Sequence, residues 1–158
     1  RGERVEEELA MATILVVEPD KHLRLLVEEE LRERGYDVRA VPSATEALTC
    51  MAREEFDLLV LEMALADAAG LRLFRRVFGV YPQLPVIIHT TRTCSVGGLL
   101  TSLADAWVLK TSDFRELLAA VERVLRRTAL FDAPWRGVGS CGGGDYASGA
   151  PQLVPCPA

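Results

Sequence analysis

The sequence predicts an α/β fold in which a five-stranded parallel sheet is covered by helices on both faces. Short apolar runs of strand length recur between residues 13 and 110, and segments with the three- to four-residue apolar spacing of helices separate them. The runs are almost continuously apolar, which is typical of strands buried on both faces. Strands that alternate with helices in this way form parallel sheets through right-handed crossovers.

The first half of this region contains three predicted strands and two predicted helices. They are, in order, a strand at 13–17, a helix at 21–34, a strand at 36–41, a helix that begins after Ser43, and a strand at 57–61. The apolar stripe of the first helix consists of Leu23, Leu26, Val27 and Leu31. Gly35 follows that helix as a C-cap, and Ser43 and Glu46 have the spacing of a capping box.

The second half continues the alternation. The predicted elements are a helix after Gly70 with Leu71, Phe74 and Phe78, a strand at 85–90, a weak fourth helix at 97–103, a strand at 106–110 and a fifth helix. Asp113 and Glu116 form a second capping box at the start of the fifth helix. The apolar stripe of the fifth helix consists of Phe114, Leu117, Leu118, Val121 and Leu125.

The two ends of the chain differ in composition from the predicted domain, which we assign to residues 12–127. Residues 1–11 are rich in charged residues, and Met11 resembles a natural start residue. One interpretation is that the segment before Met11 is the edge of a fragment or the product of a start site assigned too early. The other interpretation is a short helical extension of the domain. Residues 128–158 hold six of the 12 glycines and four of the eight prolines, so we predict a disordered tail.

Composition and charge exclude several classes of protein. The 158 residues carry 18 Lys and Arg against 23 Asp and Glu, a net charge of −5, which argues against nucleic-acid binding. No apolar run approaches the ~20 residues of a membrane span, and no signal peptide is visible, so we expect a cytoplasmic protein. The four cysteines lack zinc-site spacing, and His22 and His89 are interpreted as structural.

Polar side chains follow the predicted strands where each of them ends. Glu18 and Asp20 follow the first strand, Glu62 the third and Thr90 the fourth, and Lys110 closes the fifth. In an open parallel sheet, the carboxyl ends of the strands form the edge where ligands bind. Carboxylates suit a hard cation such as Mg²⁺, and a hydroxyl and an ammonium suit phosphate oxygens.

Four segments of the chain resemble the receiver domain of bacterial response regulators. The segments are ILVVEPD, DLLVLEMALADAAG, PVIIHTT and ADAWVLKTSDFRELL, in the family's order and spacing, and the resemblance covers about residues 13–127. The resemblance implies a flavodoxin-like (βα)5 fold, doubly wound, with strand order 2-1-3-4-5. It also implies roles for individual residues: Glu62 lies at the phosphoacceptor position, Thr90 matches the switch hydroxyl, Lys110 the phosphate-contacting lysine and Trp107 the aromatic switch.

The chain also departs from the family pattern. The phosphoacceptor is normally an aspartate, and Pro19 stands where the family has its second acidic residue. Thr111 replaces the proline that normally follows the lysine, so a cis-proline is not expected there. The resemblance therefore implies an atypical receiver that is phosphorylation-independent. Glu18, Asp20 and Glu62 then form a weak or lost Mg²⁺ site, and no catalytic residue or bound cofactor is expected.

Two interpretations of Glu62 stay open on the sequence alone. Its carboxylate mimics the phosphorylated state by reaching Lys110 and Thr90, or it only forms a salt bridge in a site that has lost its chemistry. A carboxylate carries less charge than a phosphoryl group and fewer acceptor oxygens, so mimicry would be partial. Glu18 and Asp20 either bind a cation weakly or pair with Lys110.

The sequence as a whole predicts a single-domain response regulator that acts by protein–protein interaction and is not an enzyme. The expected partners are a histidine kinase or a downstream effector, bound through the face formed by the fourth helix, fifth strand and fifth helix, and a homodimer is possible through the same face. The first alternative is a functioning phosphoreceiver that takes phosphoryl from a histidine kinase with Mg²⁺. A flavin-binding protein is disfavoured, because Glu18 and Pro19 lie where a phosphate-cradling loop would have to be.

Overall fold

The computed structural model describes residues 12–91 and 102–130. The strands are β1 (Thr13–Val17), β2 (Asp37–Val41), β3 (Leu58–Leu61), β4 (Val86–Thr90) and β5 (Ala106–Leu109). The helices are α1 (Lys21–Glu33), α2 (Ala44–Met51), α3 (Ala69–Val80) and α4 (Arg115–Leu130), with a 3-10 helix at Ala66–Ala68. None of the helices in these two ranges is long and apolar enough to cross a membrane.

The five strands form one parallel sheet in the order β2-β1-β3-β4-β5. This confirms the predicted fold class and strand order. In the centre of the sheet, Ile14 lies between Val38 and Leu58. From β1 the chain adds β2 on one side and then β3, β4 and β5 on the other side, so the strand order reverses between β1 and β3. The carboxyl ends of β1 and β3 are therefore neighbours at the edge where ligands bind in such folds.

Local sequence signals set where the helices begin and end. The Asp20 side chain caps α1 by accepting a hydrogen bond from the Leu23 amide at 2.8 Å. Ser43 caps α2 by accepting from the Glu46 amide at 3.2 Å, as the capping-box spacing predicts. Gly35 has a φ of 92°, which is the left-handed conformation expected for a glycine that ends a helix.

Two apolar clusters pack on opposite faces of the sheet. The first cluster lies on the face of the sheet that is covered by α1 and α4. It contains Ile14, Val16, Val27, Leu31, Leu58, Val60, Ile87, Val108, Leu117 and Val121, among others. The second contains the other face together with α2 and α3: Leu15, Val17, Ala47, Met51, Leu59, Leu61, Leu73, Phe74, Val77 and Ile88, among others. The three central strands, β1, β3 and β4, are therefore buried between two helical layers, as their continuous apolar sequences predict, whereas the edge strands β2 and β5 are partly exposed.

Two predicted core residues lie at the surface instead. Leu26 and Phe78 are each 48% exposed, whereas helical spacing predicts that both lie on the apolar stripes of their helices. In α3 the buried stripe runs through Gly70, Leu73, Phe74 and Val77. Two neighbouring stripes on this helix are apolar at helical spacing, and only packing against the sheet selects one of them.

Several predictions fall partly or wholly outside the described residues. The weak fourth helix at 97–103 lies outside them, except that Ser102 and Leu103 are in a turn. Residues 1–11 and 131–158 also lie outside, so the proposed extension and most of the proposed tail are not described. Helix α4 continues to Leu130, three residues past residue 127, where the domain was predicted to end.

Candidate functional site

The residues singled out at the strand ends come together at the carboxyl edge of the sheet. Glu18 follows β1, Glu62 follows β3, Thr90 ends β4 and Lys110 follows β5. The backbone of three of them continues the sheet ladder: the Glu18 amide donates to Val41 O and the Glu62 amide to Val17 O, both at 3.0 Å, and the Lys110 amide donates to Thr90 O at 2.8 Å. The sheet register thus fixes where their side chains begin.

Lys110 links the two glutamates. Its Nζ lies 2.5 Å from Oε2 of Glu18 and 2.5 Å from Oε2 of Glu62. The three side chains are only 10%, 3% and 4% exposed, respectively. Such short charge-assisted contacts are stronger than neutral hydrogen bonds, and burial limits their screening by salt. If all three groups are ionised, the cluster carries one more negative than positive charge. We call Glu18, Glu62 and Lys110 the charge cluster.

The second oxygen of each carboxylate in the charge cluster is bound to backbone. Glu18 Oε1 accepts a hydrogen bond from the Asp20 amide at 3.1 Å, and Glu62 Oε1 accepts one from the Ala64 amide at 2.7 Å. Each carboxylate therefore divides its two oxygens between the lysine and an amide two residues downstream. This arrangement holds both side chains in fixed orientations.

Asp20 is not part of the charge cluster, although the sequence analysis grouped it with Glu18 and Glu62. Its carboxylate is exposed and caps α1, and the hydrogen bond from the Leu23 amide is the main reason that its pKa lies below the usual value. His22 and Lys110 lower the pKa of Asp20 further. An Asp directly before a predicted helix is a common N-cap, so the sequence did contain the signal for this role.

The described residues do not fit a magnesium ion in this arrangement. A divalent cation of this kind needs several converging oxygen ligands. In the two described ranges, no group of three or more His, Cys, Asp or Glu side chains could hold a metal ion. The ammonium of Lys110 instead contacts an oxygen of both cluster carboxylates.

Thr90 is buried next to this edge without a polar contact. It is 1% exposed, and its Oγ1 has no hydrogen-bond partner among the described residues. Glu62 contacts Lys110 but does not bind Thr90, so the structure contains one of the two contacts that the mimicry interpretation expects. An unpaired buried hydroxyl is unfavourable by ~1–3 kcal/mol, which makes Thr90 a place where a further acceptor would stabilise the fold.

His89 is a buried titratable group that the sequence analysis treated only as structural. It is 4% exposed, and burial together with the nearby positive charge of Lys110 lowers its pKa to about 4, although Glu62 acts in the opposite direction. The imidazole is therefore neutral at pH 7. The sequence signal is a histidine in the otherwise apolar strand PVIIHT, beside the threonine that ends it.

Trp107 lies on β5 three residues before Lys110, and the loop that leads to α3 begins directly after Glu62. Trp107 is half-buried and packs against the apolar cluster between the sheet and helices α2 and α3. In the loop, Asp67 and Ala68 have φ values of 55° and 54°, and the Arg72 guanidinium donates to the Asp67 carbonyl. Left-handed backbone at two consecutive non-glycine residues is strained, so the surrounding contacts must hold this loop in place.

The chain is similar to known receiver domains in sequence. Residues 14–122 match the family described as the response regulator receiver domain. The two-component response regulator PhoP of Pseudomonas aeruginosa is 36% identical over 121 residues, which cover 75% of this chain and 53% of that protein. The chain spans about half the length of the curated relatives it matches.

The chain is also similar to receiver domains of known structure. The response regulator TrrA of Thermotoga maritima, solved in complex with Mg²⁺ and BeF, is 28% identical with a TM-score of 0.67, over 72% of this chain and 99% of that one. A second structure, in which TrrA is bound to the histidine kinase ThkA, matches with a TM-score of 0.66 over 73% of this chain and 99% of that one, again at 28% identity.

Proposed function

Because this chain belongs to the family of response regulator receiver domains, we propose that it acts in two-component signal transduction as an atypical receiver that does not depend on phosphorylation. The observation that carries this proposal is the charge cluster, in which one buried ammonium contacts both carboxylates at 2.5 Å. The ammonium of Lys110 takes the place that a metal cation would have between the two carboxylates. The receiver then stays in one state whether or not a phosphodonor is present.

The residue at the phosphoacceptor position supports this proposal. Glu62 is one methylene longer than the aspartate of the family, and its two oxygens are held by Lys110 and the Ala64 amide. A nucleophile displaced by ~1 Å can lose ~10²-fold in rate, so in-line attack on a phosphodonor is disfavoured. We propose that the chain is not an enzyme and catalyses no phosphoryl transfer of its own.

The acidic positions after β1 point in the same direction. Pro19 occupies the second acidic position of the family, and the exposed Asp20 serves as the cap of α1. Glu18 is the one buried carboxylate of that segment in the described structure, and it contacts Lys110. We therefore propose that the protein works without Mg²⁺ or another cofactor.

The output of such a receiver is binding to other proteins, in the cytoplasm. The partners that we propose are a histidine kinase, as in the complex of TrrA with ThkA, or a downstream effector. The proposed surface includes β5 and the start of α4, where Leu109 is 47% exposed and Trp107 is half-buried. A homodimer would use the same surface.

The second candidate function is a working phosphoreceiver that uses Mg²⁺. The buried Thr90 favours it, because its Oγ1 lacks a hydrogen-bond partner in the described structure and would gain one from a phosphoryl oxygen. Lys110 is also retained at the position of the phosphate-contacting lysine. This candidate requires Lys110 to release at least one carboxylate.

Trp107 fluorescence distinguishes the two candidates in the full chain, with Trp135 replaced by Phe so that one tryptophan reports. We expect no saturable change with millimolar Mg²⁺ or with beryllofluoride added afterwards. The double variant Pro19→Asp/Glu62→Asp should respond to both, because it restores two short acidic side chains. Glu33→Asp, the same shortening on the exposed side of α1, is the matched control and should stay silent. A saturable response of the chain without these changes would refute the phosphorylation-independent proposal.

A further inference from the structure

The exposed side of α3 combines positive charge with apolar side chains, although the whole chain carries a net charge of −5. The helix contains no Asp or Glu, and its arginines are all exposed. At its end, three apolar or aromatic side chains are between 36% and 59% exposed. We call this region the α3 surface; it consists of Arg72, Arg75, Arg76, Phe78, Val80 and Tyr81.

The positive charge of the α3 surface is largely uncompensated. Within the described ranges, the ion pairs include neither Arg75 nor Arg76, and Arg72 donates only to the backbone carbonyl of Asp67. Like charges three and four residues apart on a helix repel one another. An acidic occupant would therefore relieve repulsion as well as cover apolar area.

Gly79 lies in the middle of the α3 surface. A Cβ added at Gly79 would meet nothing within 4 Å, so the packing of the domain does not require a glycine at this position. Glycine inside a helix is unfavourable by ~0.5–1 kcal/mol relative to alanine. Its bare backbone does allow another segment to approach α3 closely.

Residues 1–11 have the chemistry to bind this surface and enough chain length to reach it. Three consecutive glutamates, Glu6–Glu8, lie between Val5 and Leu9. The segment leads into β1, and helices in this fold run antiparallel to the strands, so α3 ends at the edge of the sheet where β1 begins. Strands β1, β3 and β4 are neighbours, which places the starts of β1 and β4 ~10 Å apart. Eleven residues can span up to ~36 Å.

We propose that residues 1–11 dock on the α3 surface, with Glu6–Glu8 facing the arginines and Val5 and Leu9 covering Phe78 and Val80. The chain's net charge disfavours a nucleic acid as the occupant. A tethered segment also has an effective concentration of ~1 mM, which an equally acidic separate molecule would rarely reach. The apolar end of the α3 surface lies at the amino edge of the sheet and the charge cluster at the carboxyl edge, so the docking does not depend on the proposed function.

Hydrogen exchange tests the proposal on the full chain and on the same chain beginning at Met11. In the full chain, the amides of residues 76–81 should exchange roughly threefold more slowly or better, because a contact with a dissociation constant of ~0.5 mM is about two-thirds occupied at an effective concentration of ~1 mM. Equal exchange rates in the two chains would overturn the proposal. Far-UV circular dichroism confirms that both chains are folded.

Charge variants decide whether the arginines hold the segment. Arg76→Glu should abolish the difference in exchange, whereas Arg123→Glu, an exposed arginine on α4 across the sheet, should leave it intact. The double variant Arg76→Glu/Glu7→Arg should restore the slow exchange. If protection survives Arg76→Glu, charge does not hold the segment; if it grows with protein concentration, a second copy is the occupant. Either result overturns the proposal.

Discussion

Lys110 allows two carboxylates to be buried together at the carboxyl edge of the sheet. Two carboxylates that are 3% and 4% exposed would be strongly destabilising without a positive charge between them. The lysine makes their burial tolerable. A metal cation that bound both carboxylates through these oxygens would have to displace the lysine ammonium. The same contact thus stabilises the fold and occupies one oxygen of each carboxylate.

His89 should make the stability of the domain depend on pH. Its folded pKa is about 4, below the 6.5 of an unfolded histidine, because burial disfavours the imidazolium. Between these two values the unfolded chain binds more protons, so stability is full above pH 6.5 and falls as pH falls toward 4. We expect wild type to lose about 2 kcal/mol more than His89→Leu between pH 7 and pH 5.

Urea unfolding at the two pH values measures this loss. His22→Gln is the matched control, because His22 is the other histidine of the chain and is exposed on α1; the loss attributed to His89 should persist in this variant. If His89→Leu loses as much stability as wild type over this range, the buried imidazole is not the source of the pH dependence.

The loop between β3 and α3 depends on a glycine where α3 begins. A Cβ at Gly70 would lie 2.5 Å from Met63 O and 2.9 Å from Glu62 O, and both of these atoms belong to the backbone. The loop would have to move, and with it the backbone that carries Glu62. We expect Gly70→Ala to lower the free energy of unfolding by ~1–3 kcal/mol, as overpacking does. Chemical denaturation measures the change.

Gly79→Ala is the matched control on the same helix. Nothing in the described structure lies within 4 Å of the added Cβ, so in the chain that begins at Met11 the substitution should raise stability by ~0.5–1 kcal/mol through helix propensity alone. A similar loss of stability in both variants would mean that α3 tolerates no added side chain, and the argument from the Gly70 contact would fail.

The sheet couples the two apolar clusters of the whole molecule. Leu58 and Leu59 are neighbours on β3, both fully buried, and they point into opposite clusters. Because one sheet forms a wall of both clusters, Leu58→Ala and Leu59→Ala should each lower global stability by ~2–5 kcal/mol. The unfolding transitions followed by Trp107 fluorescence in a Trp135→Phe background and by far-UV circular dichroism should coincide in each variant.

Separate transitions would contradict this picture. If Leu59→Ala shifted the Trp107 transition and left the circular dichroism transition in place, the α2–α3 layer would unfold independently of α1 and α4. A change in m-value without such a separation would instead show that the denatured state has changed.

The sequence by itself determined the fold class, the strand order through the resemblance, and the edge at which the polar residues meet. Continuous apolar strands, helical spacing and caps such as Ser43 are local properties, and the carboxyl ends of parallel strands must share one edge. Glu18, Glu62, Thr90 and Lys110 could therefore be grouped from the sequence. Their family roles rest on the resemblance of four motifs and remain predictions.

Only the tertiary structure decided how those residues pair. Lys110 binds both Glu18 and Glu62, Thr90 is left without a polar contact in the described structure, and Asp20 turns to cap α1. The exposure of Leu26 and Phe78 was decided in the same way. The physical reason is that periodicity fixes which residues share an edge or a face, whereas side-chain pairing and the choice between adjacent apolar stripes depend on distances across elements that are remote in the chain.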